Sequence, residues 1–170
     1  CSSDLQCVIK QLVPQATDAN NLEMARRLFD TEAQVLYQLG SHDQIPTLLA
    51  HFEENQEFYL AQEYIEGDQL SEEFSAGEVW SEDQVIVLLQ AILEVLSFVH
   101  QQNVIHRDIK PSNLIRRRQD GRIVLIDFGA VKQVSNRSVG SEIEAPAGTN
   151  LTIAIGTQGY MPNEQMAGKP

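Results

Sequence analysis

Two short polar clusters in the second half of the chain have the residue types and spacing that phosphate chemistry needs. The first is the sequence HRDIKPSN at residues 106–113, and the second is DFG, which begins at Asp127 after an apolar run. Oxygen atoms of Asp108, Asn113 and Asp127 suit Mg²⁺, which prefers hard oxygen ligands. Asp108 can accept or orient a hydroxyl proton, and Lys110 can supply positive charge to a transferring phosphoryl group. The two clusters therefore predict phosphoryl transfer.

Lys10 is the candidate for binding the phosphates of a nucleotide, because it interrupts the apolar run of residues 5–12. It needs an acidic partner, and the helical segment that follows offers Glu23 and Glu32. The alternative is a strand lysine whose ammonium group reaches solvent along its apolar stem. Lys10 alone favours this alternative, whereas Lys10 together with the two polar clusters favours phosphate binding.

Apolar periodicity predicts the elements that must position these residues. Pro14 ends the first strand, and Gly40 is well placed as the stop of a helix. Ser81 and Gln84 can form a capping box at the start of the strongest helix. The predicted strands cover residues 5–12, 48–53, 58–65, 104–105, 114–115 and 123–126, and the predicted helices cover residues 20 or 21 to 39 and 82–102. Residues 130–155 are predicted to form a long surface loop.

The net charge of −12 is unevenly distributed. Residues 1–100 hold 18 acidic and 3 basic groups, whereas residues 101–170 hold 6 acidic and 9 basic groups. The acidic balance argues against general nucleic-acid binding, which uses a basic surface. The turn that follows the arginine run of residues 116–118 favours a solvated hairpin edge over a nucleic-acid patch. No apolar run approaches the roughly 18 residues of a membrane helix, and the four histidines lack zinc-site spacing.

Together these motifs resemble the central part of a Hanks-type (eukaryotic-like) serine/threonine protein kinase domain, most closely its cyanobacterial members. VIK at residues 8–10 resembles the strand-three motif, and FDTEA at residues 29–33 resembles the αC segment. EYIEG at residues 63–67 resembles the hinge between the lobes. GTQGYMPNE at residues 156–164 resembles the end of an activation segment, with Asn163 in place of the usual proline.

The resemblance implies an α+β fold of the two-lobe kinase type, present in part. Residues 1–65 correspond to part of the N-lobe, with strand three, αC, two strands and the hinge. Residues 66–170 correspond to part of the C-lobe, with αE, the catalytic loop, the metal-binding loop and the activation segment. The glycine-rich loop and the C-terminal helices have no counterpart among these residues. We therefore expect the 170 residues alone to bind ATP weakly and to phosphorylate nothing efficiently.

The resemblance also implies roles for individual residues. Asp108 is the expected catalytic base, Lys110 is expected to stabilise the transferring phosphate, and Asn113 and Asp127 are expected to hold Mg²⁺. His106 is expected to pack and orient the loop. The other implied positions are Lys10 with its partner Glu32 and the hinge residues Glu63 and Ile65 for ATP binding, Gln62 as gatekeeper, and Arg107, Lys132, Thr157 and Glu164 in the regulatory and substrate loop.

The long loop suggests a hypothesis of regulation by phosphorylation. Arg107 and Lys132 can reach a phosphate on this loop. The alternative hypothesis is that the loop is a disordered segment without a regulatory role. The available acceptors are Ser135, Ser138, Ser141, Thr149 and Thr152.

The implied function is Mg-ATP-dependent transfer of the γ-phosphate to Ser/Thr hydroxyls of proteins in a bacterial signalling kinase. The expected cofactors are ATP and Mg²⁺, and the expected location is cytoplasmic, although the full-length protein could be anchored in a membrane elsewhere. The expected partners are protein substrates with Ser/Thr acceptors. No nucleic-acid partner is expected, and no membrane segment is expected in these residues. A pseudokinase or scaffold and a small-molecule phosphotransferase are the alternatives. The retained polar residues argue against the first, and Lys110 with the GTQGY segment argues against the second.

Overall fold

A three-stranded antiparallel sheet and one long helix form the first part of the chain. In the computed structural model, which describes residues 6–13, 19–75, 77, 79–133 and 156–166, the strand order is β1-β3-β2. The helix packs on the sheet through an apolar face, and the rings of Phe29 and Phe58 lie 5.2 Å apart. Gly40 ends the helix with a φ of 62°. The elements are β1 Cys7–Leu12, α1 Ala19–Leu39, β2 Leu48–Glu54 and β3 Glu57–Glu63.

A second long helix, α3 (Glu82–Gln101), begins with the capping box that the sequence predicts. Ser81 Oγ accepts from Gln84 N–H, and the Gln84 side chain accepts from Ser81 N–H. By length and composition α3 is also apolar enough to cross a membrane, which the search for long apolar runs did not indicate. Its Val95 and Val99 are fully buried in the protein core, and most of the helix surface is not covered in the structure.

Short strands after α3 carry the polar clusters. A three-stranded sheet has the order β4-β6-β7, and β5 pairs with β8. Gly67 must lack a side chain, because a Cβ there would lie 2.3 Å from the carbonyl oxygen of Arg116. The elements are β4 Gly67–Gln69, α2 Leu70–Ser75, β5 Val104–Ile105, a 3₁₀ turn Pro111–Asn113, β6 Leu114–Arg117, β7 Ile123–Leu125, β8 Lys132–Gln133 and α4 Asn163–Met166.

The link between α1 and β2 anchors the first part of the chain to the second. Gln44 is buried, and its amide donates to the carbonyl oxygens of Ala91 in α3, at 3.2 Å, and Ile123 in β7, at 3.0 Å. The carbonyl of Gln44 accepts from Leu125 N–H, two residues before Asp127. This link therefore fixes the sheet of Lys10 relative to the strand that leads to Asp127.

Long periodic elements agree with the sequence-based predictions within one or two residues. The strand predicted for residues 58–65 ends at Glu63, so Tyr64 and Ile65 lie in the connection that follows. The predictions missed β4, α2, β8 and α4, which have two to six residues each and no full period to detect. Most of the predicted loop of residues 130–155 lies outside the described residues.

Candidate active site

Lys10 lies between two carboxylates from distant parts of the chain. Its Nζ is 2.8 Å from Glu32 Oε1, 3.0 Å from Glu32 Oε2 and 2.7 Å from Asp127 Oδ1. β1 supplies Lys10, α1 supplies Glu32, and the loop after β7 supplies Asp127. Glu23 pairs with Arg27 instead, at 2.6 Å, so Glu32 is the carboxylate of α1 that contacts Lys10.

Partial burial makes this cluster sensitive to charge. Burial alone lowers the pKa of Lys10, but the carboxylates of Glu32 and Asp127 outweigh it, and the pKa is raised. Burial raises the pKa of Glu32 more than Lys10 lowers it. Burial also acts to raise the pKa of Asp127, but its contacts with Lys10 prevail and hold that pKa low. Lys10 therefore stays cationic and its charge holds α1, through Glu32, and the loop after β7, through Asp127.

A second cluster surrounds Asp108. Asp108 Oδ1 accepts a hydrogen bond from Thr157 Oγ1 at 2.7 Å, and Oδ2 lies 2.7 Å from Lys110 Nζ. Lys110 Nζ also donates to Thr157 Oγ1 at 2.7 Å. Asn113 Nδ2 donates to the backbone oxygen of Asp108 at 2.9 Å and to its Oδ2 at 3.0 Å. Burial would raise the pKa of Asp108, but these donors lower it, so the carboxylate stays ionised.

His106 orients the two polar loops relative to each other. One ring nitrogen, Nε2, lies 3.2 Å from the carbonyl oxygen of Ile126, and Nδ1 accepts from Asp108 N–H at 3.3 Å. The ring packs edge-on against Phe128, with centroids 4.8 Å apart. Burial lowers the pKa of His106. The structure thus places a buried neutral imidazole beneath the site, as the packing interpretation expects.

Arg107 connects three segments around Asp108. Its φ is 65°, in the left-handed region that non-glycine residues seldom adopt. The guanidinium group donates to the carbonyl oxygens of Ala130, at 2.7 Å, and Val131, at 3.0 Å. The carbonyl oxygen of Arg107 accepts from Gln165 Nε2 at 2.6 Å. Its guanidinium therefore contacts backbone of the segment after DFG.

Gln165 is a site residue that the sequence analysis missed. Its amide reaches Arg107 over Gly156, where a Cβ would lie 2.5 Å from Gln165 Nε2 and 2.9 Å from the Arg107 carbonyl oxygen. Gly156 also has a φ of 138°, which disfavours any other residue. Thr157 and Gln165 together attach the GTQGYMPNE segment to the loop of Asp108. In the sequence, only the first glycine of GTQGY, Gly156, indicated that other groups approach the backbone closely at this position.

Other predicted positions lie apart from the two clusters. Glu63 ends β3, and its Oε2 accepts from Thr47 N–H at 3.2 Å, while Ile65 is buried in the connection that follows. Lys132 begins β8. No ion pair of Glu164 occurs among the residues that the structure describes. The five proposed phosphorylation sites in the long loop lie outside the described residues.

Comparison with known proteins decides the family. The family model "Protein kinase domain" matches residues 2–170. The chain belongs to the protein kinase family. It is 48% identical over 165 residues to serine/threonine-protein kinase B of Synechocystis and 45% identical over 169 residues to serine/threonine-protein kinase PknA of Nostoc. These matches include 96% and 99% of the chain but only 28% and 29% of the two relatives.

Membership of the protein kinase family implies ATP and usually Mg²⁺, and the donor atoms fit such a metal. Asn113 donates both hydrogen bonds of its Nδ2 to Asp108, so the Oδ1 atom of Asn113 is available to bind a cation. Asp127 uses Oδ1 to accept from Lys10 and from Gly129 N–H, which leaves Oδ2 for a ligand. Neutral amide and carboxylate oxygens are what Mg²⁺ prefers. Within the described part of the chain, no group of three His, Cys, Asp or Glu side chains could hold a metal.

Proposed function

We propose that the intact protein transfers the γ-phosphate of ATP to serine and threonine hydroxyls of protein substrates. The observation that carries this proposal is the hydrogen bond from Thr157 Oγ1 to Asp108 Oδ1. In this contact a hydroxyl group donates to the Asp108 carboxylate while Lys110 Nζ lies 2.7 Å from the hydroxyl oxygen, Thr157 Oγ1. An acceptor hydroxyl needs the same two neighbours.

The residues around Asp108 divide the work of transfer. Asp108 accepts the proton of the acceptor hydroxyl, because its lowered pKa keeps it ionised. Lys110 offsets the negative charge that develops on the transferring group. Asn113 keeps the carboxylate in place through its two donated hydrogen bonds.

The cluster around Lys10 binds the nucleotide. Lys10 contacts the ATP phosphates, and Glu32 fixes the lysine in position through two hydrogen bonds. Asn113 and Asp127 hold Mg²⁺, which when bound neutralises phosphate charge. The backbone around Glu63 and Ile65 receives the adenine ring. This assignment leaves no ionic residue of either cluster without a role in transfer, which is why we prefer a kinase to a scaffold that signals by binding.

The test is phosphate transfer from γ-labelled ATP by the intact protein to two degenerate peptide pools, one with Ser and Thr acceptors and one with Tyr acceptors. We expect label in the Ser/Thr pool only. Chelation of Mg²⁺ by EDTA and the Asp127→Asn variant should each reduce this labelling by at least about 10²-fold, because each removes charge stabilisation of the transferring group. Labelling that survives both treatments would exclude the proposed site.

A further inference from the structure

The side chain of Gln38, near the end of α1, joins three elements that are far apart in the chain. Its Nε2 donates to the carbonyl oxygen of Gln102 at 2.8 Å, and its Oε1 accepts from Gln133 Nε2 at 3.2 Å. Gln102 is the C-cap of α3, and Gln133 ends β8. Both polar groups of this one amide are therefore engaged, each with a different element.

The chemistry of these two contacts requires a glutamine amide at position 38. A backbone carbonyl only accepts hydrogen bonds, so the atom of Gln38 that faces Gln102 must be the nitrogen. The amide oxygen of Gln38 is then left for the N–H of Gln133. A carbonyl at the C-terminal end of a helix has no donor within that helix, so Gln38 supplies a hydrogen bond that α3 itself cannot supply.

Two other side chains of α1 bind the helix to its own sheet. Arg26 forms two hydrogen bonds with Glu53 of β2, at 3.1 Å and 2.7 Å. Glu32, further along α1, binds Lys10 of β1. These contacts hold α1 over the sheet and beside Lys10, but their partners in the sheet do not belong to the loop of Asp108.

The two elements that Gln38 contacts both adjoin the loop of Asp108. β8 pairs with β5, with Gln133 opposite Val104. β5 leads directly into HRDIKPSN, and α3 ends just before β5 begins. The carbonyl groups just before β8 accept both hydrogen bonds of the Arg107 guanidinium. Gln38 thus connects the helix of Glu32 to the backbone that supports the loop of Asp108.

We propose that Gln38 is a positioning residue for phosphate transfer. It fixes the end of α1 against α3 and β8, and it thereby aligns the cluster around Lys10 with the cluster around Asp108. The inference rests on the proposed function, in which the first cluster holds the nucleotide phosphates and the second receives the acceptor hydroxyl. Buried Gln44 anchors the link that follows α1, so the loss of Gln38 should misalign the two clusters without separating them.

The kinetic test compares the intact wild-type protein with Gln38→Met, which nearly keeps the size of the side chain but removes its amide. We expect kcat for Ser/Thr peptide phosphorylation to fall about three- to tenfold, the range that one or two hydrogen bonds support. KM for ATP should change by less than about twofold, because the contact between Lys10 and Glu32 is retained. This division between kcat and KM is expected of alignment and not of nucleotide binding.

Two further variants locate the effect. Gln34→Met is the matched control, because Gln34 lies one turn earlier on α1, is also exposed, and has no side-chain hydrogen bond within the described ranges. It should keep the wild-type kcat. Gln133→Met removes one of the two contacts, so kcat should fall about two- to threefold. The double variant Gln38→Met/Gln133→Met should be no slower than Gln38→Met, because both changes remove the same contact.

Hydrogen exchange, measured by mass spectrometry without nucleotide, does not depend on transfer. In Gln38→Met the backbone amides in the last turn of α1 and in β8 should exchange at least about threefold faster, because the two elements lose the bond that joins them. Gln34→Met should leave both regions unchanged. Faster exchange in α1 alone would show a local effect on the helix and would contradict the link to β8.

The kinetic and exchange results can each overturn the proposal. A wild-type kcat in Gln38→Met, equal losses in Gln38→Met and Gln34→Met, or a raised KM for ATP with unchanged kcat would exclude it and leave the proposed function standing. An intact wild-type protein without transfer activity would instead refute the proposed function. In that case faster exchange in both α1 and β8 would still support the link through Gln38, and unchanged exchange would exclude it.

Discussion

Two charge networks in this protein both pair basic with acidic side chains but differ in how deeply they are buried. On the β6–β7 hairpin, Arg117 forms two hydrogen bonds with Asp120, and Arg118 contacts Glu66 and Asp68 at 3.1 Å each. The hydrogen bonds from Arg117 lower the pKa of Asp120 to about 2. These groups are nevertheless on the surface, and the three side chains of the Arg118 contacts are more than half exposed.

The network around Lys10 and Asp108 is more buried, with the side chains of Glu32 and Asp108 exposed by 8% and 10%. Lys10 contacts both Glu32 and Asp127. The carboxylate of Asp108 contacts three side chains, those of Lys110, Thr157 and Asn113. Under the proposed function, these groups exchange a protein partner for a phosphate, a metal ion or an alcohol. The comparison teaches that a strongly shifted pKa, as at Asp120, does not by itself identify a functional group. Sharing of partners in a partly buried place is the better criterion here.

The largest effect that separates the two networks should come from Lys10. Lys10→Met removes the cation that Glu32 and Asp127 share, so we expect kcat/KM for ATP to fall by about 10²–10³-fold. Steady-state kinetics of the intact protein with varied ATP measures this. A fall below about tenfold would mean that Lys10 is an ordinary strand lysine, the alternative that its sequence context left open.

A smaller effect should come from Gln165. Gln165→Leu leaves the Arg107 carbonyl oxygen without its donor and loosens the backbone before Asp108, so kcat should fall about tenfold. KM for ATP should stay unchanged, because Lys10 and Glu32 are not in contact with Gln165. Gln158→Leu, on an exposed position of the same segment, is the control and should keep full kcat. Equal losses in both variants would show that Gln165 has no positioning role.

His106 should make the site, and not the hairpin, sensitive to mild acid. Burial lowers the pKa of His106 in the folded protein. In the unfolded chain this histidine is protonated near pH 6.5, whereas in the folded protein it remains neutral at that pH. The free energy of unfolding should therefore decrease as the pH falls through about 6.5. NMR of the imidazole ring in the folded protein should show titration below this pH. Titration at or above it would contradict the buried neutral assignment.

The smallest effect should come from the hairpin. Arg118→Gln removes contacts with Glu66 and Asp68, but all three side chains are more than half exposed, and such pairs contribute little to stability. We expect Tm and kcat to equal those of the wild type within error. A large loss in either quantity would remove the contrast between the two networks.

The sequence predicted the parts of the site that are local in the chain. HRDIKPSN and DFG each form one short loop, so their spacing alone indicated metal and phosphate chemistry. The choice of Glu32 over Glu23 came only from the family motif, because both acids lie on the same predicted helix. The contact between Lys10 and Asp127 joins positions 117 residues apart, and apolar periodicity contains no information about such pairs.

Features that depend on close packing were not predictable. Gln165 reaches Arg107 across 58 positions, and only because Gly156 has no side chain in the way. β4 and α2 are too short to show a period, and Gly67 is required by its distance to β6 rather than by a turn. The anchoring of Gln44 likewise depends on carbonyl groups in α3 and β7 that meet only in the folded protein.

The most direct test of the central claim separates ATP binding from transfer at Asp108. Asp108→Asn in the intact protein keeps the shape of the side chain but removes the base. The account predicts an unchanged Kd for Mg-ATP and a single-turnover rate of Ser/Thr peptide phosphorylation that falls by about 10²–10⁴-fold. A rate within threefold of the wild type, with normal ATP binding, would contradict the assignment of Asp108 and with it the mechanism proposed for this site.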